Sequence, residues 1–224
     1  MIPFSSPLPD ASPRPALLRL TLLLAGGIFA GLAVSVVRAG GPAWDAPILE
    51  YWHTHATPGL DKAAVFFTIV GNTGPMVGFG VLVWLALLKR SAWRAAWVWF
   101  ASVGGSMLLT QVVKRLVARP RPALWASIRP EHTLSFPSGH AMDTAAIAAA
   151  LVFLCWGSRG RGWVLGLAPL FSLAVGWARM YLGVHNPSDV LAGWAAAVAW
   201  VAAVHLLAGR ARPAAQMVEA LPAQ

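Results

Sequence analysis

Six stretches of the chain contain no Asp, Glu, Lys or Arg and are mostly apolar: residues 20–37, 63–88, 95–113, 144–158, 162–178 and 190–209. Their lengths are 18, 26, 19, 15, 17 and 20 residues. A helix crossing a bilayer needs roughly 17–25 such residues. The fourth and fifth runs are short. Extending the fourth back through His140 and the fifth forward past Arg179 gives adequate length and leaves those charges inside the bundle at a membrane boundary. Intramembrane ionisable groups are costly and usually functional. The pattern predicts an all-α integral membrane bundle of six transmembrane helices over residues 16–209. Tails are expected at 1–15, which is Pro- and Ser-rich and reads as disordered, and at 210–224.

Composition agrees. The 224 residues are 58% hydrophobic and 11% charged, against about 25% charged in soluble domains, and mean hydropathy is +0.63. Small residues recur inside the runs: Gly104, Gly105 and Ser106, the alanines of 145–150, and Gly193 with Ala195, Ala196 and Ala197. They let helix backbones approach closely in lipid. Trp93, Trp97, Trp99, Trp156 and Trp163 lie near run ends, where interfacial anchors sit. Residues 38–62 carry Trp44, Tyr51 and Trp52 and read as a short amphipathic helix on the outer surface. The first run is long for a cleaved signal peptide. The lone Cys155 is a small apolar residue of a span.

The net charge is +9. In a soluble protein this would point to nucleic acid; here the basic residues lie mostly between apolar runs, and no nucleic-acid partner is expected. With six spans, one side holds Arg14, Arg19, Lys89, Arg90, Arg94, Arg159, Arg161, Arg210 and Arg212. The other holds Arg38, Lys62, Lys114, Arg115, Arg119, Arg121, Arg129 and Arg179. Setting aside Lys114, Arg121 and Arg179 as anion ligands leaves nine against five. The positive-inside rule then puts both termini in the cytoplasm.

Three clusters carry the candidate chemistry, and all fall on the outer side. They occupy 114–122, 137–140 and 179–189. Pro137-Ser138-Gly139-His140 before an apolar run reads as a helix start. Its unpaired N–H groups and dipole favour an anion, Gly139 permits close approach, and His140 falls in the first turn. His185 and Asp189 are four residues apart, with Pro187 suited to a helix's first turn. A carboxylate on Nδ1–H fixes the imidazole tautomer and frees Nε2, as an activated nucleophile requires. Lys114, Arg121 and Arg179 supply charge for a phosphoryl group, whose transfer relies on positioning and electrostatics. No dense carboxylate cluster is present to hold a metal, so neither metal nor cofactor is expected.

Lys114 with six residues before Arg121-Pro122, then Pro137-Ser138-Gly139-His140, then Arg179 with five residues before His185 and three more before Asp189, resembles the type 2 phosphatidic acid phosphatase family. Its superfamily also includes vanadium haloperoxidases and class A bacterial acid phosphatases. The resemblance implies a phosphatase acting on a lipid or polyprenyl phosphate in the bilayer. His185 would be the nucleophile, Asp189 its partner and His140 the acid and then base. Lys114, Arg121, Arg179, Ser138 and Gly139 would hold phosphate oxygens. The expected setting is a bacterial plasma membrane with the site on the periplasmic side. Ala178 stands where the family often has Ser, so any hydrogen bond from that serine is absent.

Other residues read more plainly. Arg115, Arg119 and Arg129 lie outside the pattern and are expected to touch lipid or solvent. His53 and His55, near Asp45 and Glu50, match no strong metal motif and read as a solvated loop. Glu131 and His132 lie close enough to the second block to touch substrate, Asp143 suits a supporting role behind His140, and His205 reads as structural. Two other activities fit some of these features. A lipid-to-lipid phosphotransferase would use the same site. An anion transporter would use the cations but has no need of the His185–Asp189 pair. Neither the particular lipid nor the oligomeric state follows from the sequence.

Overall fold

The computed structural model describes residues 14–210; the tail expectations for 1–13 and 211–224 lie outside them. The described residues form eight helices and no strand: α1 (Pro15–Ala39), α2 (Asp45–Thr54), α3 (Pro58–Val70), α4 (Thr73–Lys89), α5 (Trp93–Val117), α6 (Gly139–Leu154), α7 (Arg161–Tyr181) and α8 (Pro187–Arg210). Helices α1, α5, α7 and α8 are long and apolar enough to cross a membrane, α3 and α4 together give a bent fifth, and α6 is a shorter apolar helix. Leu23, Leu24, Leu82, Leu108, Leu167 and Leu207 are exposed on the bundle's outside, an apolar surface that hydrocarbon covers and water would not.

The run at 63–88, read from the sequence as one span, is two helices meeting at 47°. Gly71 ends α3, and Asn72 caps α4 by accepting from the Gly74 N–H at 3.2 Å. The break also answers packing. A Cβ on Gly71 would meet Val175 of α7 at 2.6 Å, so α3 lies directly on α7 while α4 turns toward α5 and α6. Trp99 also departs from expectation. It is buried, donating its indole N–H to the Gly80 carbonyl at 2.9 Å, and so ties α5 to α4. Trp93, Trp97 and Trp163 are exposed, as anchors are. Helix α2 forms within 38–62, with Asp45 and Leu49 buried.

Helices α6 and α8 are the structural centre. Helix α6 packs against α4, α5, α7 and α8, and His140 through Ala148 are all buried. Small residues permit this on every face. A Cβ on Gly105 would run into Trp200, and one on Gly176 into Trp194, both of α8. Gly193 matters most for the site. Added there, a Cβ would stand 2.8 Å from the Ser138 carbonyl and 3.2 Å from the Ala141 Cβ. Its absence lets α8 cross against the very start of α6.

Gly193→Val should therefore push α8 from the first turn of α6, costing about 1–3 kcal/mol by overpacking and lowering the thermal midpoint in detergent. Gly27→Val on α1, where nothing lies within 4 Å, should leave the midpoint unchanged.

Candidate active site

One end of the bundle gathers the end of α5, the 118–138 segment, the start of α6, the end of α7 and the start of α8. Tertiary contacts pin the start of α6. The Ser138 N–H donates to the Asp189 carbonyl at 3.0 Å, and the Ser138 carbonyl accepts from Met142 N–H at 3.0 Å. The Ser138 Oγ and His140 Nε2 are both buried and have no hydrogen-bond partner among the described residues. Such groups are costly unless something pairs with them. Gly139 lies beside α5, where a Cβ would stand 3.7 Å from Thr110 and 4.0 Å from the Lys114 Cε.

The turn from α7 to α8 brings His185 back beside Arg179. The Arg179 carbonyl accepts from Val184 N–H at 3.2 Å and His185 N–H at 3.3 Å. Gly183 makes the reversal with φ +66, under the Trp125 indole; the left-handed region favours glycine there. Asp189 closes the start of α8 by accepting from Asn186 N–H at 2.9 Å, the reach-back half of a capping box.

His185 is buried. Its Nδ1 lies 3.6 Å from Asp189 Oδ2, longer than a hydrogen bond. Ser135 stands between them, with its Oγ 3.4 Å from that Nδ1 and donating to Asp189 Oδ2 at 2.5 Å. The expected direct carboxylate contact is thus an electrostatic one shared with a serine. On the ring's other side, Arg121 Nη1 is 3.0 Å from His185 Nε2. A guanidinium can only donate, so Nε2 carries the lone pair and the proton of the neutral ring sits on Nδ1. Burial pushes the His185 pKa well below the ordinary imidazole value, the cations Arg179 and Arg121 add to this, and Asp189 opposes it.

The three expected anion ligands lie at the same end. Lys114 is buried and donates to the Leu134 carbonyl. Arg121 donates to the Thr133 carbonyl and the Val184 carbonyl, both at 2.6 Å, and to Thr133 Oγ1 at 2.8 Å. Arg179 is completely buried, holding Thr68 Oγ1 and, at 2.8 Å, Glu131 Oε1. The other Glu131 oxygen is 3.6 Å from Arg121. Glu131 therefore bridges two of the three cations. Its own burial raises its pKa, but Arg179 and Arg121 outweigh that and hold it below the usual carboxylate value. A cavity of about 460 Å³ opens here, lined among others by Lys114, Arg115, Arg121, Glu131 and His132. His140 lies within electrostatic reach of Arg179, Glu131, Arg121 and Lys114.

Arg119 corrects the reading from sequence, which left it to lipid or solvent. It is buried, with Nη1 on Asp189 Oδ1 at 2.5 Å and Ser188 Oγ at 2.8 Å. Its Nη2 holds Asp45 Oδ2 at 2.9 Å and the Gly40 carbonyl at 2.6 Å. Asp45, expected in a solvated loop, is likewise buried. Arg115 and Arg129 are exposed. His53 stacks on Trp125 at 4.1 Å. Asp143 accepts from Thr73 Oγ1 at 2.8 Å, tying the break before α4 to the turn below His140. His205 packs on Phe153 and bonds the Val201 carbonyl. Ala178 is fully buried in an apolar cluster with Ala64, Tyr181, Leu182 and Val184. Among the described residues, no three His, Cys, Asp or Glu side chains are grouped to hold a metal.

Sequence reasoning missed Arg119, Asp45, Ser135, Ser188, Thr133 and Thr68. The repeated Arg-Pro of 119–122 was a usable signal, since two arginines one residue apart leave a helix end in different directions. Ser188 lay within the third block, beside Asp189, and nothing local marked the others.

Known proteins resemble this chain in sequence and fold. A family model described as the PAP2 superfamily matches residues 95–213, which takes in α5 to α8. Phosphatidylglycerophosphatase B of Bacillus subtilis (strain 168) is 35% identical over 143 residues, 61% of this chain and 70% of that protein. The putative undecaprenyl-diphosphatase YbjG of Escherichia coli (strain K12) is 36% identical over 96 residues, where the match spans 39% of this chain and 46% of its relative. The crystal structure of a transmembrane PAP2 type phosphatidylglycerolphosphate phosphatase from Bacillus subtilis superposes with a TM-score of 0.73 at 25% identity, covering 89% of this chain and 98% of that one. With more than half of its residues matched by the family model, the chain belongs to the PAP2 superfamily.

Proposed function

We propose that this protein is a membrane phosphatase that hydrolyses a lipid or polyprenyl phosphate through a phosphohistidine on His185, without a metal. The observation that carries the reading is a neutral, buried His185 whose Nε2 lone pair lies 3.0 Å from Arg121, in a cationic site that also acts on His140. The names of the matched relatives, a phosphatidylglycerophosphatase and an undecaprenyl-diphosphatase, support a lipid-borne phosphate as substrate.

The chemistry runs in two displacements. Nε2 of His185 attacks phosphorus as the bond to the leaving oxygen breaks, and His140, protonated once the charge of the bound phosphate offsets the cations around it, gives that oxygen a proton. Lys114, Arg121 and Arg179 hold the three equatorial oxygens, where the transition state spreads its charge. Ser138 Oγ and the Gly139 N–H add donors at the start of α6. Asp189, across the ring, balances the imidazolium that forms. His140, now neutral, takes a proton from water whose oxygen attacks the phosphohistidine. The P–N bond breaks, inorganic phosphate leaves, and His185 regains its lone pair.

Six spans complete the proposal, with α3 and α4 as one bent span and α6 as another. Helix α6 has 16 residues, about 24 Å at 1.5 Å each, short of a hydrocarbon core of about 30 Å. Enclosed by α4, α5, α7 and α8, it need not match the lipid thickness. The charge distribution supports both termini in the cytoplasm and the site outside.

His185→Ala should abolish phosphate release from a panel of lipid phosphates in detergent while the elution profile stays native; turnover at the native rate would remove His185 from the chemistry. The reaction needs the neutral ring, and burial holds the His185 pKa below about 6.5. The acid limb of kcat/KM attributable to it should therefore lie below that pH in a titration of rate. Glu131 occupies two cations that a phosphate must take over. Glu131→Gln should thus tighten competitive inhibition by inorganic phosphate severalfold, whereas weakened inhibition would mean that Glu131 serves to position the arginines.

A further inference from the structure

Asp189 sits at the centre of a buried network that reaches well beyond His185. One of its oxygens, Oδ2, serves the catalytic side, accepting from Ser135 Oγ and the Asn186 N–H and facing His185. The other, Oδ1, is held by Arg119 Nη1. That guanidinium is fixed from behind by Asp45 and the Gly40 carbonyl. Asp45 in turn accepts from the Ser188 N–H at 2.9 Å and the Ser188 Oγ at 2.5 Å. Asp45 therefore caps the first turn of α8 from a helix 143 residues away in the chain. Asp189 and Ser188 are completely buried, and Asp45 and Arg119 are 5% and 8% exposed.

We infer that Arg119, anchored by Asp45 of α2, is a positioning residue that fixes the Asp189 carboxylate and through it the orientation of His185. The inference rests on the phosphohistidine reading above. Its physical basis is the division of labour between the two Asp189 oxygens. A carboxylate bound on one oxygen only can rotate about its last torsion, which is broad. Gripping Oδ1 stops that rotation and keeps Oδ2 aimed at the ring. Arg119 does this with a planar fork, and each of its two terminal nitrogens takes a different carboxylate, a geometry that lysine cannot reproduce. The outer elbow is shaped for it. Gly40 and Gly41 have φ of +75 and +129, and a Cβ on Gly41 would overlap the Arg119 guanidinium and Asp45. The link from α1 to α2 thus belongs to the catalytic apparatus rather than to the lipid surface. Arg119 itself is occupied by Asp189, Ser188, Asp45 and Gly40, so its loss should slow the chemical step and spare phosphate binding.

The test uses the full chain in detergent, with a lipid phosphate that the wild type hydrolyses and inorganic phosphate as competitive probe. Arg119→Lys, Arg119→Ala, Asp45→Asn and Gly41→Ala are compared with wild type and His185→Ala. Misplacing a catalytic group by about 1 Å costs up to about 100-fold, so kcat should fall about 10- to 100-fold. KM and the phosphate inhibition constant should stay within about twofold, the pattern of an interaction needed only in the transition state. Added guanidinium should restore part of the Arg119→Ala rate. Folded Arg119 variants with native kcat overturn the role, as does a loss that falls on KM and phosphate affinity instead. If the Arg119 variants do not fold, Asp45→Asn and Gly41→Ala decide by the same criteria. Failure of all four to fold makes the network structural and also overturns it. A wild type that releases no phosphate, or an active His185→Ala, overturns the phosphatase reading and this role with it. A His185-dependent wild type with unaffected variants overturns the role alone.

Discussion

Charge neutralisation at low dielectric governs this site. Four cations, Lys114, Arg119, Arg121 and Arg179, are drawn into one end of an apolar helix bundle together with three carboxylates, Asp45, Glu131 and Asp189. An unpaired ion in such surroundings costs several kcal/mol, so each charge needs a partner at hydrogen-bond range. Arg119 finds Asp45 and Asp189, while Arg179 and Arg121 share Glu131. Among the described residues, Lys114 has only the Leu134 carbonyl for a bonded partner. Among these seven side chains the balance is one positive charge in excess, and it favours an anion. Together with the first turn of α6, that excess is what a phosphate would meet.

The backbone exists to hold those charges in place. Gly193 lets α8 touch the Ser138 carbonyl, and the Ser138 N–H reaches the Asp189 carbonyl in return. The two helices that carry His140 and Asp189 are thereby fixed to each other by backbone contacts as well as by side-chain packing. Helix α3 leans on α7 through Gly71, so that Thr68 meets Arg179. Below it, the Asp143–Thr73 bond seats the bend between α3 and α4 against α6. The bend that interrupts a span therefore supplies two polar side chains, on different helices, to the periphery of the site.

Much of this was legible in the sequence, because the informative signals are local. Charge-free runs mark the spans, and fixed spacings mark the three blocks. Pro137 and Pro187 mark the starts of α6 and α8. What escaped was long-range. Asp45 and Arg119 are separated by 74 residues and Arg119 and Asp189 by 70, and no periodicity links them. Arg119 looked superficial because a basic stripe at a span end usually contacts headgroups. The bend within 63–88 did leave a trace in Gly71-Asn72-Thr73-Gly74, turn-forming residues that a count of apolar positions passes over. Trp99 was misplaced for a related reason. Its position near a run end suits an anchor, but the Gly80 carbonyl on α4 offered its indole a partner inside the bundle.

The central claim is that His185 carries the phosphoryl group between the two displacements. Its most direct measurement is a rapid alkaline quench of the enzyme turning over a lipid labelled with radioactive phosphorus, followed by proteolysis and mapping of the label. The account predicts acid-labile, alkali-stable label on the peptide containing His185, appearing and decaying at the rate of turnover. Rapid turnover with no protein-bound label, or label on another residue, would contradict it.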